Sequence, residues 1–133
     1  MITLEILERF AFVFILTFIY GLQRQRSHKP VGFGTFILVA IGACAMGTLA
    51  SQIGIDQSVP LLGAVVTGIG FLGAGALIRG SDRIFGFTTA ASIWVFAIFG
   101  LVSGLGRYDF GIMIYACVAI VIAFDEYLEA RGI

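Results

Sequence analysis

Charge is scarce in this chain. Of its 133 residues, eight are Lys or Arg and eight are Asp or Glu, 12% in all, about half the roughly 25% of an average soluble domain. A soluble surface needs charge to cover it. So few charged side chains cannot cover a chain that is 59% hydrophobic with a mean hydropathy of +1.05. That excludes a soluble globular enzyme and a disordered protein. The formal net charge is zero, so no basic excess exists to neutralise phosphates, and no nucleic-acid partner is expected. Histidine occurs once, His28, in a polar stretch. Cysteine occurs twice, Cys44 and Cys117, both inside apolar runs, where a thiol reads as a small packing residue rather than half of a disulfide. With no CxxC pair and no Cys/His cluster, neither a zinc site nor any other cofactor is implied. No Ser/His, Ser/Lys or Asp/Asp constellation falls within the apolar runs, so enzymatic chemistry is not expected.

What is present is apolar length. Charges and turn residues cut the chain into five hydrophobic segments, 4–22, 31–51, 60–78, 84–105 and 110–124. A bilayer-spanning helix needs about 20 apolar residues, and no segment shows the period-two alternation of a barrel strand. The expected fold class is therefore an all-α integral membrane protein: one domain, 1–133, of five transmembrane helices joined by short loops, consecutive helices antiparallel. The N-terminus starts Met-Ile-Thr-Leu-Glu and lacks the basic start and cleavage site of a signal peptide, so the first segment is expected to be retained. If five helices alternate, Arg24, Arg26, Lys29, Arg79, Arg83 and Arg131 fall on one side of the membrane and Arg9 and Arg107 on the other. That bias puts the N-terminus outside and the C-terminus in the cytoplasm.

The first segment carries an unusual load. Its uncharged run, Phe10 to Leu22, makes only about 20 Å of helix against a hydrocarbon core about 30 Å thick. The helix must then take in Glu8 and Arg9, and Glu5 lies one turn before Arg9, placed to pair with it. Such charges either snorkel to the outer headgroups or form a polar site between helices. On the second reading the cluster turns toward the third or fourth helix, Glu5 or Glu8 supplies one partner to the Arg9 guanidinium, and the third-helix glycines bare carbonyls for the rest.

Glycine is the other signal. Gly68, Gly70 and Gly73 spell a GxGxxG fingerprint, but they fall in mid-helix with no preceding strand and with Ile93, not an acid, twenty residues on. A dinucleotide site is rejected. Gly63, Thr67, Gly70 and Ala74 instead form a small-residue stripe at helical spacing, with Gly68, Gly73 and Gly75 on adjoining rows. Close helix packing explains it. Local unwinding that exposes carbonyls to an ion is the other reading. In the fourth segment Thr88, Thr89 and Ser92 are placed to cap the helix or to bond across to a neighbour, and Gly100, Ser103 and Gly104 keep its far end narrow.

These blocks resemble a known family. The run from Gly68 to Gly75, then Ile78-Arg79, the stretch from Thr88 to Trp94, Gly100 and Gly104-Leu-Gly106 are similar to the MgtC/SapB family of prokaryotic membrane proteins, as are Gly21-Leu-Gln-Arg24, Lys29-Pro30, Gly32, Thr35 and Leu38 to Gly42. The resemblance implies five helices in the cell membrane and a link to magnesium homeostasis. It implies either a transporter-like component or a regulator of another membrane complex such as the ATP synthase. The soluble C-terminal domain that many members carry is expected to be absent. The chain departs from the family pattern at Gln23, Gly34, Phe36 and Val59, where the family has charged or polar residues.

The candidate polar site is thus Arg9, Glu8, Glu5, Arg79, Thr88, Thr89 and Ser92. The candidate packing set is Gly63, Thr67, Gly68, Gly70, Gly73, Ala74 and Gly75. Magnesium favours carboxylates and retained water, and only Glu5 and Glu8 approach the membrane interior, so the sequence names no metal ligands. The expected partners are the lipid bilayer, a second copy in a homodimer, an ion not identified as magnesium, and another membrane protein.

Overall fold

The structure, a computed structural model, describes residues 3–26, 31–79 and 84–132, with the side chains of Ile78, Arg79 and Phe85 outside the description. Five helices follow one another: α1 (Leu4–Arg26), α2 (Phe33–Ala50), α3 (Ile55–Gly75), α4 (Phe87–Gly104) and α5 (Tyr108–Ala130). A two-residue antiparallel pair, β1 (Ile78–Arg79) and β2 (Ile84–Phe85), links α3 to α4. The architecture is otherwise all-helical, as expected, and α2 to α5 are each long and apolar enough to cross a membrane. Cys44 and Cys117 are free thiols, one buried and one exposed.

The helix ends differ from the hydropathy boundaries for local reasons. Glu, Leu and Arg are good helix formers whether or not lipid surrounds them. So α1 runs on through Gln23 and Arg24 to Arg26, and α5 carries Asp125, Glu126 and Glu129 within the helix rather than beyond it. The third helix starts at Ile55, not Pro60: Asp56 suits the positive end of its dipole, and Pro60 lies inside the helix, where it gives up the one bond to the Asp56 carbonyl. It stops at Gly75, short of residue 78. The chain then turns back through the β pair to Gly86, which has φ +95°. A Cβ there would stand 2.6 Å from the Ala76 carbonyl oxygen, so both backbone angle and space demand glycine.

The core is the contact between α2 and α4, half or more of whose residues are buried (50% and 56%), against 11% of the apolar spans of α3 and α5. Glycine makes that contact. A Cβ on Gly100 would fall 2.1 Å from the Ala40 carbonyl oxygen, one on Gly104 2.2 Å from that of Cys44, and one on Gly47 2.2 Å from that of Leu101. The two backbones therefore touch over two helical turns, the close approach small residues permit in lipid. α1 lies against both, with Tyr20 edge-on to Phe36 and tilted against Phe96 at 5.1 and 4.3 Å between ring centroids. α3 packs on the start of α4 through Gly73, whose Cβ position is 3.3 Å from the Ala90 carbonyl oxygen.

The stripe on α3 does not belong to this core. Gly63, Thr67, Gly70 and Ala74 are exposed, as are Gly68 and Gly75, and nothing lies within 4 Å of a Cβ placed on Gly63, Gly68, Gly70 or Gly75. Of the packing set read from the sequence, Gly73 alone packs between helices. α3 is continuous through the stripe, with Thr67 Oγ1 donating 3.0 Å to the Gly63 carbonyl, and it shows no unwinding.

Gly100→Val should then prevent α4 from seating on α2, at a cost of about 1–3 kcal/mol or more for a forced overpacked contact. Gly70→Leu should leave the chain's own stability unchanged. Thermal unfolding in mild detergent, followed by circular dichroism, checks both; equal losses would contradict the assignment of the core.

Candidate functional site

Two buried arginines stand on one face of α1. Its buried residues are Arg9, Val13, Thr17, Tyr20, Gly21 and Arg24, a spacing that keeps a single stripe toward α2 and α4. Because consecutive helices alternate in direction, Arg9 meets the C-terminal ends of α2 and α4, and Arg24 meets the N-terminal end of α4.

Arg9 is 8% exposed. Its Nη1 donates to the Gly104 carbonyl at 2.6 Å and to Ser51 Oγ at 3.1 Å, and its Nη2 is paired with Glu5. Ser51 Oγ in turn donates 2.7 Å to the Thr48 carbonyl. The last carbonyls of a helix have no partner within it and carry partial negative charge. Arg9 therefore caps α4 and ties three helix ends together. The chain leaving α4 passes the guanidinium at Gly106, where φ is +82° and a Cβ would be 3.3 Å from Nη2. Of the expected cluster Arg9 alone is buried, Glu5 and Glu8 being exposed, and Arg9 draws its carbonyl from α4 and its hydroxyl from the end of α2. The α3 glycines supply nothing to it. Glu8 is exposed and stands outside the network. Nearby, Arg107 forms a two-point pair with Asp109 at 3.0 and 3.1 Å and lies over the Phe110 ring. Bonding to that carboxylate pushes the Arg107 guanidinium further above its usual range.

Thr88, Thr89 and Ser92 are at the other end of the bundle and meet a different arginine. Arg24 is 1% exposed, and its Nη2 donates 3.1 Å to Thr89 Oγ1. Its Nε and Nη1 are buried and have no hydrogen-bond partner among the described residues. Gly21 allows this burial, since a Cβ there would stand 2.8 Å from Phe33 Cα, so the start of α2 lies directly against the end of α1. Ser92 Oγ is turned back to the Thr88 carbonyl at 2.7 Å, while Thr88 itself is exposed. Gln23 Nε2 donates 3.2 Å to Glu126 on α5, which closes the α1 and α5 ends together. The Arg79 side chain, with His28, Lys29 and Arg83, lies outside the described residues.

The site read from the sequence is therefore two sites at opposite ends of α1. The residue that reading left out is Arg24, although it continues the Arg9, Val13, Thr17, Tyr20 row at helical spacing, and that row was the signal. Thr88 and Ser92 also open an apolar groove between α4 and α5, about 510 Å³, that continues past Val95, Ile114, Val118 and Ile122. Among the described residues, no three His, Cys, Asp or Glu side chains come close enough to hold a metal ion.

The MgtC family model matches residues 10–131. The putative magnesium transporter YhiD of Escherichia coli (strain K12) is 32% identical over 94% of this chain and 61% of its own length. The protein SapB of Bacillus subtilis (strain 168) is 34% identical over 78% of this chain and 49% of its own. The protein MgtC of Brucella abortus (strain 2308) is 37% identical over 70% of this chain and 40% of its own. The chain thus spans about half the length of these relatives. No solved structure matches it.

Removing the Arg9 charge should unseat three helix ends at once. Arg9→Met leaves the Gly104 carbonyl without its partner and frees the largely exposed Glu5, and losing hydrogen bonds to a charged group costs about 1.5–3 kcal/mol. Arg131→Met, at the exposed end of α5, should cost less than about 0.5 kcal/mol. Comparing unfolding midpoints of the two variants in one detergent checks this, and equal midpoints would contradict a structural role for Arg9.

Proposed function

The chain belongs to the MgtC family, and on that premise we propose that it is a membrane component of magnesium and ion homeostasis that acts by regulating a partner complex rather than by carrying the ion. The observation behind this reading is the pair of buried guanidiniums, Arg9 and Arg24, one at each end of the α1–α2–α4 interior. A unit charge 4 Å from a like charge costs about 4 kcal/mol at an effective dielectric of 20, so a divalent cation meets roughly twice that at Arg24, while at the other end Arg9 is already paired with Glu5. Magnesium also keeps several waters and favours carboxylates, whereas the interior between the arginines is filled by Val13, Tyr20, Phe36, Phe96 and Phe99. The name of the Escherichia coli relative supports the magnesium link and points to transport. The transporter reading draws its own support from the buried hydroxyl of Thr17, which has no partner among the described residues.

Proteoliposomes holding a magnesium-sensitive dye separate the two. The expected result is magnesium entry no faster than into protein-free vesicles. Saturable entry that depends on the protein would establish the transporter instead.

In this proposal the chain crosses the membrane five times, N-terminus outside, with Arg24, Arg26 and Arg131 at the cytoplasmic end. The exposed α3 stripe meets a second copy of the chain. Glycine brings backbones into contact wherever it faces inward in this fold, and the same residue type recurs on a face with no partner in the chain. Single-cysteine chains check both points. Asp56→Cys should react with an impermeant thiol reagent on intact cells, Gly132→Cys only after permeabilisation, and Gly70→Cys should crosslink to a dimer. The reverse labelling pattern, or a crosslink-free chain, would overturn the corresponding part.

A further inference from the structure

Arg24 is the one place among the described residues where a nearly fully buried cation keeps two nitrogens without an acceptor. It is 1% exposed, Nη2 is held by Thr89, and Nε and Nη1 have no partner. Burying a guanidinium without a counter-charge is costly, and the cost falls when an anion supplies the missing acceptors. Arg9 is better supplied in the same chain: Glu5, Ser51 and the Gly104 carbonyl take both of its terminal nitrogens, and only Nε lacks a partner.

The surroundings of Arg24 are those of an anion site. Thr89 lies in the first turn of α4, an eighteen-residue helix. The residue before that helix, Gly86, has no side chain to cap it, and the first helical bond is the one from the Ala90 N–H to the Gly86 carbonyl at 2.8 Å. The N–H groups of the first turn and the positive end of the helix dipole are left for an external acceptor. Thr89 thus joins a buried cation to an uncapped helix start. The apolar groove between α4 and α5 opens at Thr88, in the same turn, and runs for about 510 Å³ between uncharged walls.

From this juxtaposition we propose that the α4 start and Arg24 form a binding site for a phosphate group, and that the group belongs to an anionic phospholipid whose acyl chain lies in the α4–α5 groove. A phosphate offers several acceptor oxygens, matching a guanidinium and a row of backbone N–H groups together. A free phosphate ion shares that chemistry but leaves the groove unfilled. The site is independent of whether the protein carries or regulates an ion.

Native mass spectrometry of the full chain, stripped of lipid in neutral detergent, tests the proposal. Phosphatidylglycerol should bind at one per chain and survive mild activation, with at least tenfold weaker retention in Arg24→Gln and unchanged retention in Arg131→Gln. Arg24→Lys keeps the charge without the planar fork and should fall between. A diacylglycerol with the same chains, lacking the phosphate, should not be retained. Inorganic phosphate that binds alone and is lost in Arg24→Gln, with no lipid retained, would support the phosphate site with the free ion as occupant and overturn the lipid. If wild type retains neither, or retains diacylglycerol equally, the proposal fails without reference to any variant. It fails equally if a folded Arg24→Gln or Arg24→Lys chain retains phosphatidylglycerol as wild type does.

Discussion

Backbone contact between α2 and α4 is the constraint on which the rest depends. In lipid, helices gain little from hiding apolar side chains, so association rests on packing and on polar groups that meet across the interface. Gly47 on α2 and Gly100 and Gly104 on α4 bring main chains together at Ala40, Cys44 and Leu101, with no volume left for a methyl group. Once that crossing is set, the C-terminal ends of both helices are side by side. One side chain from α1 then reaches the Gly104 carbonyl and the Ser51 hydroxyl at once. The same crossing fixes where the α4 start stands against α1, and hence where Thr89 can meet Arg24.

The two arginines show how one helix can carry charge at both ends of an apolar bundle. A guanidinium is always protonated and presents five donors, so its burial is tolerable only with acceptors at hand. At Arg9 the fold supplies them from a carboxylate one turn away, a helix-terminal carbonyl and a hydroxyl. At Arg24 the described residues supply one hydroxyl. The difference is not in the side chain but in which end of α4 it faces. A helix C-terminus offers carbonyls that suit a cation, and a helix N-terminus offers N–H groups that do not. Arg24 at the start of α4 therefore sets a cation against the positive end of that helix's dipole.

Much of the fold was legible in the sequence because lipid demands long apolar runs, and α2 to α5 follow from those runs alone. Their ends were not, because charge marks where lipid stops, while helix propensity continues through Arg24 to Arg26 and through Asp125 to Ala130. The Glu5–Arg9 pair was legible from its four-residue spacing. Its other partner, Gly104, stands 95 residues away, and no local pattern encodes that distance. Small-residue stripes carried half of the information needed. Gly100 and Gly104 on one helix and Gly63, Thr67, Gly70 and Ala74 on another have similar spacing, yet the first pair is buried to the backbone and the second set faces outward. Spacing tells that a backbone can be approached closely; it does not tell by whom.

The distribution of burial bears on how such a small chain works. α2 and α4 bury half of their residues or more, and α1 places its polar row against them. α3 and α5 bury only 11% of their apolar spans, with Phe71 at 83% exposure. The most closely packed part of the molecule is therefore the α2–α4 contact with α1 against it, while the outer helices present small residues on one side and an apolar groove on the other. The arginines that hold the inner unit face the starts and stops of α4. Any group that binds at the α4 start acts on the helix that also carries the α3 contact at Ala90 and the α5 groove at Ser92 and Val95. The α4 start thus lies within about two turns of the contacts that carry both outer helices.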